Sequence, residues 1–166
     1  MLFRSRGIAG DAAPSPILAG ELLIAISPMD RVFAVRPDGA GDVTDTHVAW
    51  ETTDMVPDIV SPLSNGERAY WVTTDGTITC GSLADGETIW QEEPDMSFRS
   101  SPSLVNGEVH LTNVKGATLI FEPGDQYREL RRNELGEAVM SSPAFHRDRI
   151  YLRAEKNVYC IGADAK

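Results

Sequence analysis

The sequence predicts an all-β fold made of repeated antiparallel sheets, and two observations support this prediction. First, four Ser-Pro pairs recur at regular spacings of 46, 40 and 41 residues. Their serines are Ser15, Ser61, Ser101 and Ser142. Second, a strand-like segment is centred nine residues after each serine. A fixed period of tens of residues is the signature of a repeat architecture, so each unit is expected to form one supersecondary element.

The segment nine residues after each serine is predicted to be the first central strand of its unit. The centres of these segments are Ile24, Tyr70, His110 and Tyr151. The residues on both sides of each centre are apolar, which is the two-residue period of a β-strand. The centres themselves are often large as well, as expected if neighbouring units cover both faces of the sheet.

A tight turn and a second central strand are predicted next in each unit. Fifteen residues after the serines stand Asp30, Gly76, Gly116 and Asn157, which are residue types that accept a left-handed turn. The following apolar segments contain the equivalent residues Ala34, Cys80, Ile120 and Cys160. An outer strand then ends at Trp90 in the second unit, with Leu130 at the corresponding place in the third. With an inner strand around the Ser-Pro pair, a complete unit contains four strands.

Four antiparallel strands in each unit, without a long amphipathic helix, predict the blades of a β-propeller. We expect about four blades, forming an incomplete ring or half of an eight-bladed propeller. Residues 1–166 are predicted to form one domain, with repeats at approximately 14–60, 61–100, 101–141 and 142–166.

The Ser-Pro pairs, the aromatic strands, "LADGETIW" and the ending "NELGEAVMSSPAFHRDRIYLRAEKNVYCIG" together resemble a known repeat. This repeat is the pyrroloquinoline-quinone-type (PQQ-like) propeller repeat, and the resemblance covers about residues 14–162. The chain is similar to the C-terminal blades of large bacterial PQQ-like repeat proteins. The same repeat builds quinoprotein alcohol dehydrogenases and the outer-membrane assembly lipoprotein. The resemblance therefore implies a fold, but it does not imply one activity.

A quinoprotein dehydrogenase of this type is expected to carry an adjacent cysteine pair, a calcium site and the docking motif Ala-x-Asp-x-x-Thr-Gly-x-x-x-Trp. The sequence has no adjacent cysteines. In the second unit Gly86 and Trp90 match the motif, but Cys80, Ser82 and Asp85 replace its other residues. The third unit places Ile120, Glu122 and Leu130 at the alanine, aspartate and tryptophan positions. We expect fewer of the buried hydrogen bonds that this motif makes.

The sequence therefore favours a non-catalytic scaffold or a module that binds a protein or another ligand. No catalytic, cofactor-binding or metal-binding residue is predicted, and no cofactor is expected. One alternative is a fragment of a PQQ-dependent oxidoreductase whose catalytic residues lie in blades outside this sequence. Another is a sensor domain attached to a second module, for instance a kinase.

The composition limits the partners and the location of the protein. The formal net charge of −10 disfavours nucleic acid, because its phosphates would be repelled. No apolar run reaches the roughly 18 residues of a membrane span. The beginning, "MLFRSRGIAGDAAPSPILAGELLIAI", is interrupted by Gly, Asp and Pro, so no signal peptide is expected. The compartment stays open, and a periplasmic location requires a longer exported precursor.

Several residues of reactive type are candidates for a site. Cys80 and Cys160 occupy equivalent positions two units apart, so we expect two buried, unpaired thiols rather than a disulfide. Among the three histidines, His110 takes a packing position, and His146 is placed in a hairpin turn. None of them, His47 included, stands at ligand spacing. The loop 37–45 holds Asp38, Asp42 and Asp45 but lacks the spacing of a calcium loop, so a solvated turn is expected.

Two further segments concern the surface and the ends of the array. Residues 126–137 are predicted to be a strand followed by a loop, in which Arg128, Arg131 and Arg132 are either solvated or able to bind a carboxylate. The fourth unit ends at Gly162 before an outer strand, and residues 3–12 are weak candidates to supply one. We expect the chain to be the carboxyl-terminal half of a longer propeller; the alternatives are that two copies join into one eight-bladed ring or that four blades close alone. The end faces of an open array are apolar, so a protein partner or self-association through them is expected.

Overall fold

The computed structural model describes residues 2–162, which form seventeen β-strands and, within that range, no helix. Fifteen of the strands form four sheets that follow one another along the chain, and each sheet is one blade. Every pair of neighbouring strands within a blade is antiparallel. The predicted all-β fold of about four propeller blades is therefore confirmed.

The four blades follow the chain order of their strands. Blade 1 contains β2 (Ile17–Ala19), β3 (Leu22–Ser27), β4 (Arg31–Val35) and β6 (Val48–Thr52). Blade 2 contains β7 (Leu63–Ser64), β8 (Arg68–Val72), β9 (Ile78–Ser82) and β10 (Thr88–Glu92). Blade 3 contains β11 (Ser103–Val105), β12 (Glu108–Thr112), β13 (Ala117–Glu122) and β14 (Arg128–Glu134). Blade 4 contains β15 (Ala144–His146), β16 (Arg149–Arg153) and β17 (Val158–Gly162).

Two short strands lie outside the blades. They are β1 (Phe3–Arg4) and β5 (Gly41–Asp42), which pair with each other in parallel. Within residues 3–12, the weak candidates for an outer strand of blade 4, only Phe3–Arg4 form a strand, and it is not the outer strand of blade 4 of this chain. It lies beside blade 1, because Phe3 packs on the apolar group formed by Phe33, Val35 and Val43.

The core lies between the blades, and each blade has two faces. We call the face that packs on the next blade the forward face, and the face that packs on the previous blade the backward face. Successive side chains of a strand point to opposite faces, so both faces of the inner blades carry buried apolar residues. The forward face of blade 2 includes Tyr70 and Ile78, and it packs on Leu111 and Phe121 of blade 3.

Side chains of neighbouring blades also pack together at the other two interfaces. Between blades 1 and 2, Ile24 and Val32 pack with Trp71 in one buried cluster. Between blades 3 and 4, the rings of His110 and Phe145 lie 5.4 Å apart in an edge-on arrangement. No helix within residues 2–162 is long and apolar enough to cross a membrane.

The four Ser-Pro pairs form a ladder of hydrogen bonds that joins the blades. The backbone N–H of Ser15 donates to Oγ of Ser61 at 2.9 Å, and the N–H of Ser61 donates to Oγ of Ser101 at 3.0 Å. The N–H of Ser101 donates to Oγ of Ser142 at 2.8 Å. The first strands begin just after these pairs rather than around them. This serine ladder explains why the serine of the pair is repeated in every unit.

The predicted turn glycines are required by their surroundings. Gly76 has a φ of +123°, and a Cβ atom there would lie 2.0 Å from the carbonyl oxygen of Met96. Gly116 has a φ of +91°, and a Cβ atom there would lie 2.0 Å from the carbonyl oxygen of Glu137. The prediction was wrong for blade 1, because the left-handed residue there is Met29 and not Asp30. It was also wrong for blade 4, because Asn157 does not have a positive φ.

Candidate interaction face on the fourth blade

Blades 2 and 4 each contain a tyrosine that stands opposite a cysteine on the neighbouring strand. The pair in blade 2 is buried, and the pair in blade 4 is exposed. Tyr70 pairs with Cys80 across β8 and β9, and both side chains are fully buried by blade 3. Burial raises the pKa of Tyr70, and it raises the pKa of the Cys80 thiol to about 11. Tyr151 and Cys160 occupy the equivalent places across β16 and β17.

The second pair lies on the forward face of blade 4 and is exposed. Tyr151 is 37% exposed, and Cys160 is an exposed free thiol. The prediction of two buried thiols is therefore correct for Cys80 and wrong for Cys160. The equivalence of the two positions is right, but a following blade covers the first cysteine and not the second.

The candidate interaction face consists of the forward-facing residues of blade 4, and in the strands these alternate along the sequence. They are Ala144, His146, Arg149, Tyr151, Arg153, Val158 and Cys160. Val158 is 76% exposed. Nη1 of Arg149 donates to Sγ of Cys160 at 3.6 Å, and hydrogen bonding with Cys160 is the main cause that raises the pKa of Tyr151. The face combines apolar groups with cationic ones.

The charge of this region differs from that of the rest of the chain. Residues 142–166 contain five Lys or Arg and three Asp or Glu, so this region is basic. Residues 1–141 contain ten Lys or Arg and twenty-two Asp or Glu, so the rest of the chain is acidic. Arg149 and Arg153 are both exposed and lie on the candidate interaction face. Opposite charge on a partner favours binding to such a surface. The face is therefore suited to an acidic partner.

In the described residues blade 4 has three strands and no outer strand. In blades 1 and 2 the outer strand carries a tryptophan that joins two blades. Nε1 of Trp50 donates to the carbonyl oxygen of Leu83 in blade 2 at 2.9 Å. Nε1 of Trp90 donates to that of Gly124 in blade 3, also at 2.9 Å. The indole hydrogen bond is thus present in the second unit despite its altered docking motif, whereas the third unit has no tryptophan to make one. β17 has β16 as its neighbour on one edge, and within residues 2–162 no strand pairs with its other edge.

The matching glycine of the docking motif has a steric reason. Gly86 has a φ of +78°, and an added Cβ atom would lie 2.5 Å from the indole ring of Trp50. In blade 3 the ring of Tyr127 lies 5.5 Å from that of Trp90, edge-on. The substituted residues Ser82 and Asp85 still hold the turn, since Oγ of Ser82 accepts a hydrogen bond from the N–H of Ala84 and Oδ1 of Asp85 accepts one from the N–H of Glu87, both at 3.2 Å.

The outer strand of blade 3 differs from the sequence prediction. Trp50 stands opposite Ala34 and Trp90 opposite Cys80, but Arg131 stands opposite Ile120. Leu130 was predicted at this place. It instead lies in a β-bulge of β14, between Glu129 and Arg131, and stands opposite no residue of β13. The reason is one additional residue in the turn after β13, so that Arg131 follows Ile120 by eleven residues and Trp90 follows Cys80 by ten.

Arg131 joins a small charged group beside blade 4. Its Nη1 and Nη2 atoms donate to the carboxylate of Glu108 at 3.1 and 2.5 Å. This contact lowers the pKa of Glu108. Nε2 of His110 lies 3.8 Å from Oε2 of Glu108, but burial lowers the pKa of His110. The buried position of His110 agrees with its predicted packing role.

The other candidate residues are dispersed. Arg128 pairs with Glu122, and Arg132 pairs with Glu129 at 2.7 Å, so the arginines of the predicted strand 126–137 contact carboxylates of this chain. His146 ends β15 rather than lying in a turn.

In the loop 37–45, Asp42 contacts Arg6 at 2.9 Å, while Asp38 lies 3.5 Å from His47. Hydrogen bonds from Thr44 lower the pKa of Asp42 to about 2. Within residues 2–162, no three His, Cys, Asp or Glu side chains are grouped to hold a metal ion.

Comparison with known proteins identifies the fold. No protein-family model matches the chain, and no curated protein matches it significantly. BamB from Moraxella catarrhalis is similar in structure with a TM-score of 0.69 and 14% identity, over 86% of this chain and 43% of BamB. The quinohemoprotein alcohol dehydrogenase ADHIIG from Pseudomonas putida HK5 is similar in structure with a TM-score of 0.70 and 14% identity, over 89% of this chain and 29% of the dehydrogenase chain.

A computationally designed protein, Ika4, has a TM-score of 0.72 and 9% identity, over 99% of this chain and 98% of Ika4. The chain therefore spans less than half the length of the two natural proteins it resembles. At these identities the likeness concerns the fold alone. Together with the four blades, it shows a β-propeller fold of about four blades, like that of these solved structures.

Proposed function

We propose that the chain is a non-catalytic scaffold or protein-binding module that holds a partner on the candidate interaction face of blade 4. One observation carries the proposal. Tyr70 and Cys80 are fully buried by a following blade, and the same pair, Tyr151 and Cys160, is exposed on blade 4. A surface built like an interface between blades favours a partner with an apolar sheet face.

The reactive side chains outside this face have structural roles. His110 is buried against Phe145, and burial lowers its pKa. Cys80 is buried and its pKa is raised to about 11, so the unreactive thiol form dominates at neutral pH. These contacts support a packing role for both residues rather than a catalytic one.

The solution mass of the chain tests the proposal. Sedimentation over a range of concentrations is expected to show species larger than the 18.1 kDa monomer. Tyr151→Asp places a carboxylate in the face and is expected to abolish association. Ile89→Asp is the matched control, because Ile89 is also 37% exposed but lies on blade 2.

Two results would contradict the proposed function. The first is a wild-type chain that stays monomeric at every concentration. The second is association that Tyr151→Asp and Ile89→Asp weaken equally. A melting temperature that rises on addition of pyrroloquinoline quinone and calcium would instead support the oxidoreductase alternative.

A further inference from the structure

We propose that the partner on the candidate interaction face is a second copy of this chain, whose strand β1 adds to β17 as the missing outer strand. Phe3 of the second copy then takes the place that Trp90 has in blade 2. This inference rests on the proposed function, because it names the partner of the same face.

The position of Phe3 in the sequence and in the fold matches that of the two tryptophans. Trp50 and Trp90 each stand eleven residues before the serine of the next blade, and Phe3 stands twelve before Ser15. Trp50 packs on blade 2, and Trp90 packs on blade 3. Phe3 packs in the same way on the backward face of blade 1. β1 therefore lies where the outer strand of a preceding blade would lie.

The edges of the two strands are complementary. β1 pairs with β5 on one edge, and in the described part of the chain its other edge has no strand beside it. β17 likewise has one open edge. Unpaired backbone groups on an edge strand are a template for pairing with another chain. Addition of β1 to β17 satisfies both edges and completes blade 4 with four strands.

The ends of the serine ladder are also complementary. The N–H of Ser15, Ser61 and Ser101 donates to the serine of the following blade. The N–H of Ser142 makes no hydrogen bond with any residue of the described range 2–162, and Oγ of Ser15 receives none from that range. Blade 4 of one copy beside blade 1 of another places this donor next to this acceptor.

Charge favours this arrangement over contact between two identical faces. Residues 1–60 contain four Lys or Arg and nine Asp or Glu, so the first blade opposes the basic fourth blade in charge. A symmetric contact of two candidate interaction faces instead brings Arg149 and Arg153 of both copies together. Like charges across an interface cost binding energy.

Docking requires one local movement. Residues between β1 and Ser15 cover part of the backward face of blade 1, where the N–H of Ala9 donates to Oγ of Ser27 at 3.1 Å. The guanidinium of Arg31 contacts the carbonyl oxygen of Gly7 at 3.4 Å. Gly7 and Gly10 both have positive φ values, and glycine gives the segment the conformational freedom to take another path. β1 itself keeps its contact with blade 1.

Two such contacts close a ring. The chain presents the donor end of its array on blade 4 and the acceptor end on blade 1, so each copy binds head to tail. Head-to-tail contacts close into a ring when the rotation between copies permits it. Four blades cover 43% of the length of the BamB chain, and two copies make a ring of eight.

Disulfide trapping with the native Cys160 tests the position of β1. Cys80 stands opposite Trp90, so Cys160 is expected to stand opposite residue 3 of the second copy. Opposite residues in an antiparallel pair lie within the distance that a disulfide spans. The variant Phe3→Cys is expected to form a covalent dimer under mild oxidation, and mass spectrometry should find a peptide in which position 3 is cross-linked to Cys160. Arg4→Cys is the matched control, because side chain 4 points to the opposite face.

The unmodified chain provides a second measurement if Phe3→Cys does not fold. Hydrogen exchange at the backbone amides of β17 is expected to slow as the protein concentration rises. A Cys160–Cys160 disulfide in the wild type, or equal trapping by Phe3→Cys and Arg4→Cys, overturns the addition of β1. Loss of association in Tyr151→Asp combined with those results leaves the proposed function standing without this inference. A monomer at all concentrations overturns both.

Discussion

Trp50 and Trp90 show how one side chain joins two blades. Each indole N–H donates to a backbone carbonyl of the next blade at 2.9 Å, and each ring packs into the following interface. The ring of Trp50 lies on Gly86, so the space for the tryptophan is made by the absence of a side chain. At this scale the fold depends on pairs of residues in neighbouring repeats.

The variant Gly86→Ala is expected to lower the free energy of unfolding by about 1–3 kcal/mol more than Gly107→Ala does, because the added methyl group overpacks against Trp50. The two glycines have similar φ values, +78° and +81°. A Cβ atom at Gly107 meets nothing within 4 Å, so that variant reports backbone strain alone. Urea unfolding of both variants measures the difference. Equal losses would show that the contact with Trp50 does not matter.

At the scale of elements, Glu137 ties the connection between blades 3 and 4 to the turn after β16. Its carboxylate accepts hydrogen bonds from the backbone N–H of Lys156, from Nδ2 of Asn157 and from the hydroxyl of Tyr159. These bonds, first that of Tyr159, lower the pKa of Glu137 from 4.5 to about 2. Asn157 therefore serves the predicted turn by binding a carboxylate.

The lowered pKa of Glu137 predicts a pH dependence of stability. The unfolded chain binds this proton near pH 4.5, and the folded chain binds it only near pH 2, so the stabilisation is complete above pH 4.5. It is lost as the pH falls from about 4.5 to about 2. Urea midpoints of the wild type are expected to fall in this window more steeply than those of Glu137→Gln. Parallel curves for the two proteins would assign the acid sensitivity to other carboxylates.

The strands of blades 2 and 3 could be predicted from the sequence because the two-residue period and the turn glycines agree. Residue equivalence was also readable, as the paired positions of Cys80 and Cys160 show. The exposure of these two cysteines could not be read from the sequence, because it depends on whether another blade follows. Arg131 was missed because one extra residue in a turn moves the register of β14, and neither spacing nor apolar pattern reports such a shift. The assignment of residues 1–166 to a single domain stays a prediction.

At the scale of the whole molecule, the blades differ in how many of their faces are covered. Blades 2 and 3 lie between neighbours, and blade 1 is covered on its backward face by Phe3, Val43 and Val48. Blade 4 is covered on one face, with Val139, Leu152 and Ala154 buried there. In a repeat array, stability is roughly the sum of each unit and its contacts with neighbours. Blade 4 is therefore expected to be the least stable blade.

Hydrogen exchange in solution dilute enough to keep the chain monomeric is expected to follow this order. Amides of β8, β9, β12 and β13 should exchange slowest, because local opening there breaks two interfaces. Amides of β16 and β17 should exchange fastest among the central strands, by a factor of at least about ten if the missing interface contributes about 1.4 kcal/mol or more. Uniform protection across the four blades would mean that the array unfolds as one cooperative unit.

The serine ladder has a consequence for how such a chain can change in length. Every rung uses the same donor and the same acceptor, and all rungs run in one direction. A duplicated copy of the forty residues from Ser61 to Ser100 would find a matching rung on either side without any new residue. Gene duplication can thus lengthen this protein one unit at a time, and the number of units is limited by ring closure rather than by the chemistry of the joints.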